Sequence, residues 1–254
     1  MNMWELYDAL IEGIDDSCTV EDLVCGPGTA FVRSNLGCGF SGVPAGRTRP
    51  TVLRQKNPGM KLRDLAACVK SWNLQEAGVG QAAINAYYNA LPVAKANGVP
   101  VSDARFTEDR IYDPFISYQA AIRDKKVAVV GHFHYLDQLF RPVCDLSVLE
   151  FEPKEGDFPY TAAEYILPEA EFVVITSAAL TNKAMPRLLG LSRGAKVVIV
   201  GPSTPMAPVL EQFGVSDLSG ITIKDGERAR RICCGQESGK IYASAQKTSL
   251  RFQS

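Results

Sequence analysis

The sequence has neither an excess of charge of one sign nor a long uninterrupted apolar run. Its 27 basic and 28 acidic residues give a formal net charge of -1, which argues against nucleic acid or an anionic membrane as the main partner. No segment approaches the roughly 20 consecutive apolar residues of a membrane-spanning helix. Residues 1–14 also lack the basic start and apolar core of a secretory signal. We therefore expect a cytoplasmic protein that binds a small molecule, with no nucleic acid and no membrane as partner.

Several sequence motifs are missing as well. The seven cysteines include no C-x-x-C pair, so neither a disulfide framework nor a zinc ribbon is indicated. There is no Walker loop, which removes the usual basis for an ATPase. There is also no G-x-G-x-x-G fingerprint, which argues against a nicotinamide-dependent dehydrogenase. The hydrophobic fraction of 46% is nevertheless ample for folded cores.

Residues 1–100 combine a helix pattern with a stretch rich in glycine and proline. Apolar residues at three- and four-residue spacing predict a helix within residues 4–14. The glycines and prolines that follow predict a small antiparallel meander with strands at 29–34 and 39–43. A basic cluster at residues 46–56 is interpreted as a solvated loop, because exposure is the ordinary state of charged side chains.

A further helix is predicted to begin at Asn73. Asn73 and Glu76 have the three-residue spacing of a capping box. Glycines and alanines make much of this helix thin, so another element can approach its backbone closely. Asn85 lies on that surface, either as a hydrogen-bonding residue of the packing or as a ligand contact.

Residues 91–114 form an irregular connector, which places a domain boundary between residues 1–100 and residues 101–254. After the connector, short apolar runs alternate with segments that can form helices. The runs that predict strands are residues 125–130, 146–151, 172–176, 196–200 and 221–223. The intervening helical segments are residues 135–143, 161–167, 180–189 and 205–213. This alternation predicts an α/β protein in which a small α+β domain precedes a Rossmann-like, doubly wound parallel sheet.

Two loops are expected to face each other across the ligand crevice if the strand order is 3-2-1-4-5. They are residues 131–134 after the first strand and residues 201–205 after the fourth. Pro205 suits the first position of a helix, with Ser203 or Thr204 as its cap. The free N–H groups of such a helix would bind a carboxylate or phosphate, although the same residues also serve simply to start a helix.

Polar side chains follow the second and third predicted strands. Glu150, with Glu152 as the alternative, occupies the place where an acid accepts hydrogen bonds from ribose hydroxyls in adenosyl-binding sheets. Thr176 and Asn182 follow the third strand, where they either orient a ligand or cap the next helix.

The only two histidines of the chain, His132 and His134, lie in the turn after the first strand of this sheet. In an extended segment their rings project to the same side, as a two-histidine metal site requires. Two ligands do not complete a metal site, however, and one histidine acting as a general base needs no further ligands. Both interpretations remain open at this point.

Six segments of the chain carry a resemblance to a known family. They are residues 76–85, 130–133, 156–159, 163–168, 176–182 and 201–205. Together these segments resemble the family of heavy-metal chelation proteins. The resemblance implies an enolase-N-terminal-like α+β domain, followed by a Rossmann-like domain, with a shared cleft between them. It also implies a role in binding or processing a metal-chelating small molecule of siderophore, pterin or flavin type. The resemblance leaves open whether the protein is an enzyme.

The expected function is therefore binding, condensation or hydrolysis of such a molecule in the interdomain cleft, with His132 as the catalytic group. The ligand-binding candidates are Gly131, Phe133, Glu150, Thr176, Asn182, Gly201, Pro202, Ser203, Thr204 and Asn85. The alternatives are a non-catalytic metal-binding protein that uses His132 and His134, and an adenosylmethionine-dependent methyltransferase-like protein. The candidate cofactors are a divalent metal and an adenosyl- or pterin-type ligand, and a homo-oligomer is compatible with the sequence.

Overall fold

A computed structural model describes residues 2–45, 48–51, 58–102 and 113–252. Most of the predicted basic cluster lies outside these residues, and so does the central part of the predicted connector. In the described ranges, every helix is too short or too polar to cross a lipid bilayer.

The N-terminal region, residues 2–102, contains the predicted meander. Three strands pair antiparallel in chain order: β1 (Val20–Gly26), β2 (Thr29–Ser34) and β3 (Cys38–Gly42). The helices of this region are α1 (Glu5–Glu12), α2 (Leu62–Ala66), α3 (Leu74–Tyr88) and α4 (Leu91–Ala96). A 3₁₀ turn, Ala67–Lys70, joins α2 to the segment before α3.

The start of α3 and its close packing agree with the sequence. The Asn73 side chain accepts hydrogen bonds from the N–H groups of Gln75 and Glu76, at 3.0 and 3.1 Å, and so caps the helix. The return bond of a capping box is replaced, because the Asn73 N–H donates to the Ser71 Oγ at 3.0 Å and Glu76 accepts from Ser71. A Cβ atom on Gly80 would lie 2.0 Å from the Val69 nitrogen. The preceding turn can therefore contact α3 only because a glycine stands there.

The C-terminal region, residues 113–252, is built on a seven-stranded sheet in the order β10-β9-β8-β7-β4-β5-β6. The strands are β4 (Lys126–Val130), β5 (Asp145–Glu150), β6 (Phe158–Pro159), β7 (Phe172–Thr176), β8 (Lys196–Val200), β9 (Val215–Ile223) and β10 (Ala245–Arg251). All neighbours are parallel except β10, which runs antiparallel to β9. The predicted α/β fold is confirmed.

The central strands are buried on both faces. Val127 and Val129 of β4 belong to one apolar cluster, while Ala128 and Val130 belong to another on the opposite face. The helices of this region are α5 (Pro114–Ser117), α6 (Leu136–Leu139), α7 (Ala163–Ile166), α8 (Ala178–Thr181), α9 (Met185–Leu191) and α10 (Gly226–Cys233). The continuous apolar runs thus reflect burial on both sides rather than one buried face.

The predicted strand order 3-2-1-4-5 is wrong. The first strand of this sheet, β4, lies between β5 and β7, so that the third strand of the predicted series, not the fourth, is its neighbour. The order of the five predicted strands is 2-1-3-4-5, the other common doubly wound arrangement. Each apolar run is buried in the same way, so periodicity identifies the strands but does not order them.

Several predicted helices are shorter or broken. The predicted helix at 180–189 is divided into α8 and α9, and the one at 205–213 is a 3₁₀ helix that begins only at Pro208. Pro205 therefore does not start a helix, which corrects the interpretation of residues 201–205. The strands β1, β6 and β10 were not predicted.

Candidate functional site

A cleft of about 370 Å³ opens between the two sheets. The C-terminal ends of β4, β5 and β7 form one wall, and the end of β3 with the segment that follows forms the other. Its main lining residues are Gly42, Val43, Gly131, His132, Phe133, Glu150, Phe151, Tyr160, Thr176, Ala179 and Asn182. Because β4 and β7 flank the point where the winding reverses, the cleft lies where ligands bind in open α/β sheets.

The turn after β4 requires glycine at position 131. Gly131 has φ +106, and a Cβ atom there would lie 2.9 Å from the Thr176 Cβ. Its N–H donates to the Leu149 carbonyl of β5 at 2.9 Å. The turn therefore packs closely against both neighbouring strands, β5 and β7, and this places His132 in the cleft.

Glu150 is held by backbone donors on two sides. Its Oε1 accepts from the His132 N–H at 2.7 Å, and its Oε2 accepts from the Phe151 N–H at 3.0 Å. These bonds fix a half-buried carboxylate at the end of β5, beside the turn after β4. Each oxygen retains a lone pair that can accept from a ligand. Glu152, the alternative candidate, is exposed and does not line the cleft.

His132 is oriented by an acid that sequence reasoning missed. The Nδ1 atom of His132 lies 3.1 Å from Oδ2 of Asp157, whose side chain is only 3% exposed. The same Oδ2 accepts from the Lys154 N–H at 3.1 Å. Asp157 is 25 residues from His132, so no spacing rule connects them. The sequence feature that could have indicated Asp157 is the Gly156-Asp157 pair, which is typical of a turn and directly precedes β6.

The two histidines do not form a metal site by themselves. His134 is exposed and does not line the cleft, while the Nδ1 atom of His132 faces Asp157, so that His132 offers only its Nε2 atom as a ligand. Within the part of the chain that the structure describes, no group of three or more His, Cys, Asp or Glu side chains could hold a metal. A metal would therefore have to come with an organic ligand or take most of its ligands from elsewhere.

Asn182 and Thr176 approach the cleft from β7 and the segment after it. The Oδ1 of Asn182 accepts from the Ala184 N–H at 3.0 Å, and the Oγ1 of Thr176 accepts from the Ala178 N–H at 3.4 Å. Both side chains thus support the local backbone. The amide NH₂ group of Asn182 still has the capacity to donate to a ligand.

Lys183, next to Asn182, adopts a left-handed conformation with φ +67. Its ammonium group donates to the carbonyls of Ser71 and Thr181, and it lies 5.5 Å from the centre of the Trp72 ring. Burial lowers the pKa of Lys183 to about 8. This lysine therefore joins the segment between α8 and α9 to the N-terminal region and keeps Asn182 at the cleft.

An aromatic wall closes one side of the cleft. The rings of Phe151 and Tyr160 stack with their centres 4.0 Å apart, and Phe151 is 59% exposed. The ring of Phe133, a predicted site residue, packs against the ring of Phe115, with the ring centres 4.8 Å apart. Phe151 and Tyr160 were not predicted, because single aromatic residues in loops are common in any sequence.

The structure does not bring Asn85 to the cleft, nor residues 201–205, which were expected to bind an anion. Ser203 is buried, and its Oγ accepts from the Gly42 N–H at 2.8 Å. The Asn85 amide donates to the carbonyls of Phe40 and Ser203, at 2.8 and 2.9 Å. Gly201, Pro202 and Thr204 belong to the same loop, and none of them lines the cleft. Ser203 and Thr204 join the two regions through Gly42, Asn85 and Asn89, and this agrees with the packing alternative for Asn85.

Comparison with known proteins finds a family model for each region, and the two models have the same description. A family model described as "Putative heavy-metal chelation" (DUF364) matches residues 113–252, and a second model with the same description (DUF4213) matches residues 7–88. No protein of curated function matches the chain.

Two solved structures are similar over nearly the whole chain. A Desulfitobacterium hafniense protein of unknown function from the DUF364 family is 48% identical, with a TM-score of 0.91, over 98% of this chain and 99% of that one. A DUF364 protein of unknown function from Pyrococcus horikoshii is 18% identical, with a TM-score of 0.77, over 99% of this chain and 100% of that one. The second likeness concerns the fold alone.

Proposed function

Because this chain belongs to the DUF364 family, described as "Putative heavy-metal chelation", we propose that its cleft binds or processes a metal-chelating small molecule. The observation that carries the proposal is the cleft itself, which combines three polar groups on apolar walls with a donor set that does not suit a resident metal. The protein would then act on the chelator rather than hold the metal with its own side chains.

The size and lining of the cleft support a small organic ligand. A volume of about 370 Å³ lies within the usual range for such sites, which are mostly apolar with a few placed polar groups. Here the polar groups are His132, Glu150 and Asn182, and the exposed aromatic pair is Phe151 and Tyr160. A planar chelator of the catechol or pterin type would stack against the aromatic rings and hydrogen-bond to the strand ends.

The same geometry supports His132 as the group that would act if the ligand is processed. A histidine paired with a buried carboxylate is suited to general acid–base catalysis of condensation or hydrolysis. The cleft offers no glycine-rich phosphate loop for a dinucleotide, in keeping with the missing G-x-G-x-x-G fingerprint.

Thermal unfolding in the presence of defined probes tests this proposal. The probes are 2,3-dihydroxybenzoate, acetohydroxamate, pterin and flavin mononucleotide, each with and without Fe³⁺. A ligand at 100 times its dissociation constant stabilises the native state by about 2.7 kcal/mol, which corresponds to a shift of roughly 5–10 °C for a chain of this length. We expect such a shift with at least one chelator, and Glu150→Gln should reduce it.

Glu152→Gln is the matched control, because Glu152 is a nearby exposed carboxylate outside the cleft. It should leave the shift unchanged. Stabilisation by Ni²⁺, Zn²⁺ or Fe³⁺ alone, lost in His132→Ala and His134→Ala, would favour the direct metal-binding alternative. Stabilisation by S-adenosylmethionine alone would favour the methyltransferase-like alternative and contradict the proposal.

A further inference from the structure

The contact between His132 and Asp157 determines which nitrogen of the imidazole carries a hydrogen. A carboxylate can only accept hydrogen bonds, so the Nδ1 atom that faces Asp157 at 3.1 Å must be the donor. A neutral imidazole has one donor and one acceptor nitrogen. Nε2 of His132 is therefore left with a lone pair.

The position of Asp157 is fixed by its own turn. Its N–H donates to the Lys154 carbonyl at 3.0 Å, while its Oδ2 accepts from the Lys154 N–H. Gly156, between them, has φ +91, a conformation that glycine adopts without strain. With its side chain 3% exposed, Asp157 has little freedom to turn away from His132.

The Nε2 atom of His132 is available to a ligand. Among the residues that the structure describes, this atom has no hydrogen-bond partner, and His132 lines the cleft. Glu150, on the adjacent strand end, is a second acceptor in the same wall. Two neighbouring acceptors match a ligand that donates hydrogen bonds, and they disfavour a carboxylate or phosphate at this place.

We propose that Asp157 is a positioning residue that sets the His132 tautomer, so that the cleft selects a chelator with free hydroxyl groups. A hydroxyl of the ligand would donate to Nε2 of His132, and a second hydroxyl would donate to Glu150. Catechols and hydroxamates have such hydroxyls, whereas the ionised carboxylates of polycarboxylate chelators only accept hydrogen bonds. This inference depends on the proposed function for the ligand, while the role of Asp157 can be tested without one.

The tautomer is measured by ¹⁵N nuclear magnetic resonance of the full chain, at a pH where the imidazole is neutral. His134→Gln leaves His132 as the only histidine, which makes the assignment direct. We expect a protonated Nδ1 and an unprotonated Nε2, and a shift toward the opposite tautomer when Asp157→Asn is added. Asp145→Asn, an exposed aspartate outside the cleft, should leave the spectrum unchanged. A protonated Nε2 in the protein with Asp157 intact would overturn the role of Asp157.

The hydroxyl selection is tested with a matched pair of probes, 2,3-dihydroxybenzoate and 2,3-dimethoxybenzoate, by calorimetric titration. Loss of the hydrogen bonds to these two half-buried acceptors should weaken binding of the dimethoxy compound about tenfold or more. Asp157→Asn should weaken the dihydroxy compound by a similar factor while leaving the circular dichroism spectrum unchanged. Equal affinity for both compounds would overturn the selection. No binding of either would overturn the hydroxyl selection and count against the proposed function, and the tautomer measurement would still decide the role of Asp157.

Discussion

The individual residues of the cleft obtain their orientation mostly from the backbone beside them. Glu150 is held by two N–H groups, Asn182 by the Ala184 N–H, and the ring of His132 by Asp157, itself fixed in a turn. Such side chains are ordered before a ligand arrives, so less conformational entropy is lost on binding. A site of this kind is expected to bind without large rearrangement.

Lys183 gives a prediction about pH at the same scale. Burial lowers its pKa to about 8 in the folded protein, whereas an unfolded lysine has the ordinary value near 10.5. Between these values the unfolded chain binds more protons at this position than the native chain, so the contribution of Lys183 to stability should increase with pH. The free energy of unfolding, measured by urea titration, should therefore increase for wild type relative to Lys183→Met as the pH rises from 8 to 10.

The matched control is Lys125→Met, which removes an exposed lysine. The difference between wild type and this variant should stay constant over the same pH range. A constant difference for Lys183→Met as well would contradict the effect of burial on its pKa.

At the scale of elements, helix α3 and Asn89, the residue that follows it, present amide side chains to the segment after β8 and to β9. Gln81 and Asn85 donate to the Ser203 carbonyl at 3.0 and 2.9 Å. Asn89 donates to the carbonyls of Thr204 and Ile221, at 2.9 and 3.0 Å, and accepts from Met206 N–H at 2.8 Å.. These side chains satisfy backbone groups that a regular helix would otherwise have satisfied internally. The segment can therefore stay extended and buried.

Asn89→Ala should destabilise the protein strongly. It would leave two carbonyls and one N–H buried without their partner, and an unsatisfied buried group costs about 1–3 kcal/mol. We expect the free energy of unfolding to fall by roughly 3 kcal/mol or more, measured by urea titration.

Asn97→Ala is the control for this prediction, because Asn97 donates one part-buried hydrogen bond within the described ranges, to the Met206 carbonyl at 3.2 Å. Its loss should cost about 1 kcal/mol. Equal effects of the two substitutions would show that the amide contacts of Asn89 do not hold the segment in place.

For the whole molecule, the two regions share one apolar core. The largest cluster includes Leu10 and Ala82 from the N-terminal region together with Val173 and Leu188 from the C-terminal region. The buried hydroxyl of Tyr7 also donates to the Leu180 carbonyl at 2.9 Å. Separating the two regions would expose this apolar surface to water. We therefore expect that neither region is stable without the other.

This shared core predicts a single cooperative unfolding transition. Both tryptophans, Trp4 and Trp72, lie in the N-terminal region, so their fluorescence follows that region, whereas far-ultraviolet circular dichroism follows both. Urea titrations by the two methods should give the same midpoint. An earlier midpoint for either signal would indicate that the regions unfold independently.

The sequence by itself determined the central strands of this fold and part of the site. Apolar runs identified β4, β5, β7, β8 and the end of β9, and glycine positions identified turns, because burial and backbone conformation are local requirements. The edge strands β6 and β10 have no such run. Gly131, His132, Phe133, Glu150, Thr176 and Asn182 line the cleft because the C-terminal ends of parallel strands meet at one edge of a sheet.

Only the tertiary structure decided the strand order, the burial of residues 201–205 and the pairing of His132 with Asp157. Strands pair through backbone groups that every residue carries, so the sequence of one strand does not select its neighbour. The contacts of Asn85 and Asp157 join residues far apart in the chain, and no local pattern encodes them. In the folded chain, Ser203 and Thr204 of the expected anion-binding segment are therefore buried, and His132 contacts Asp157.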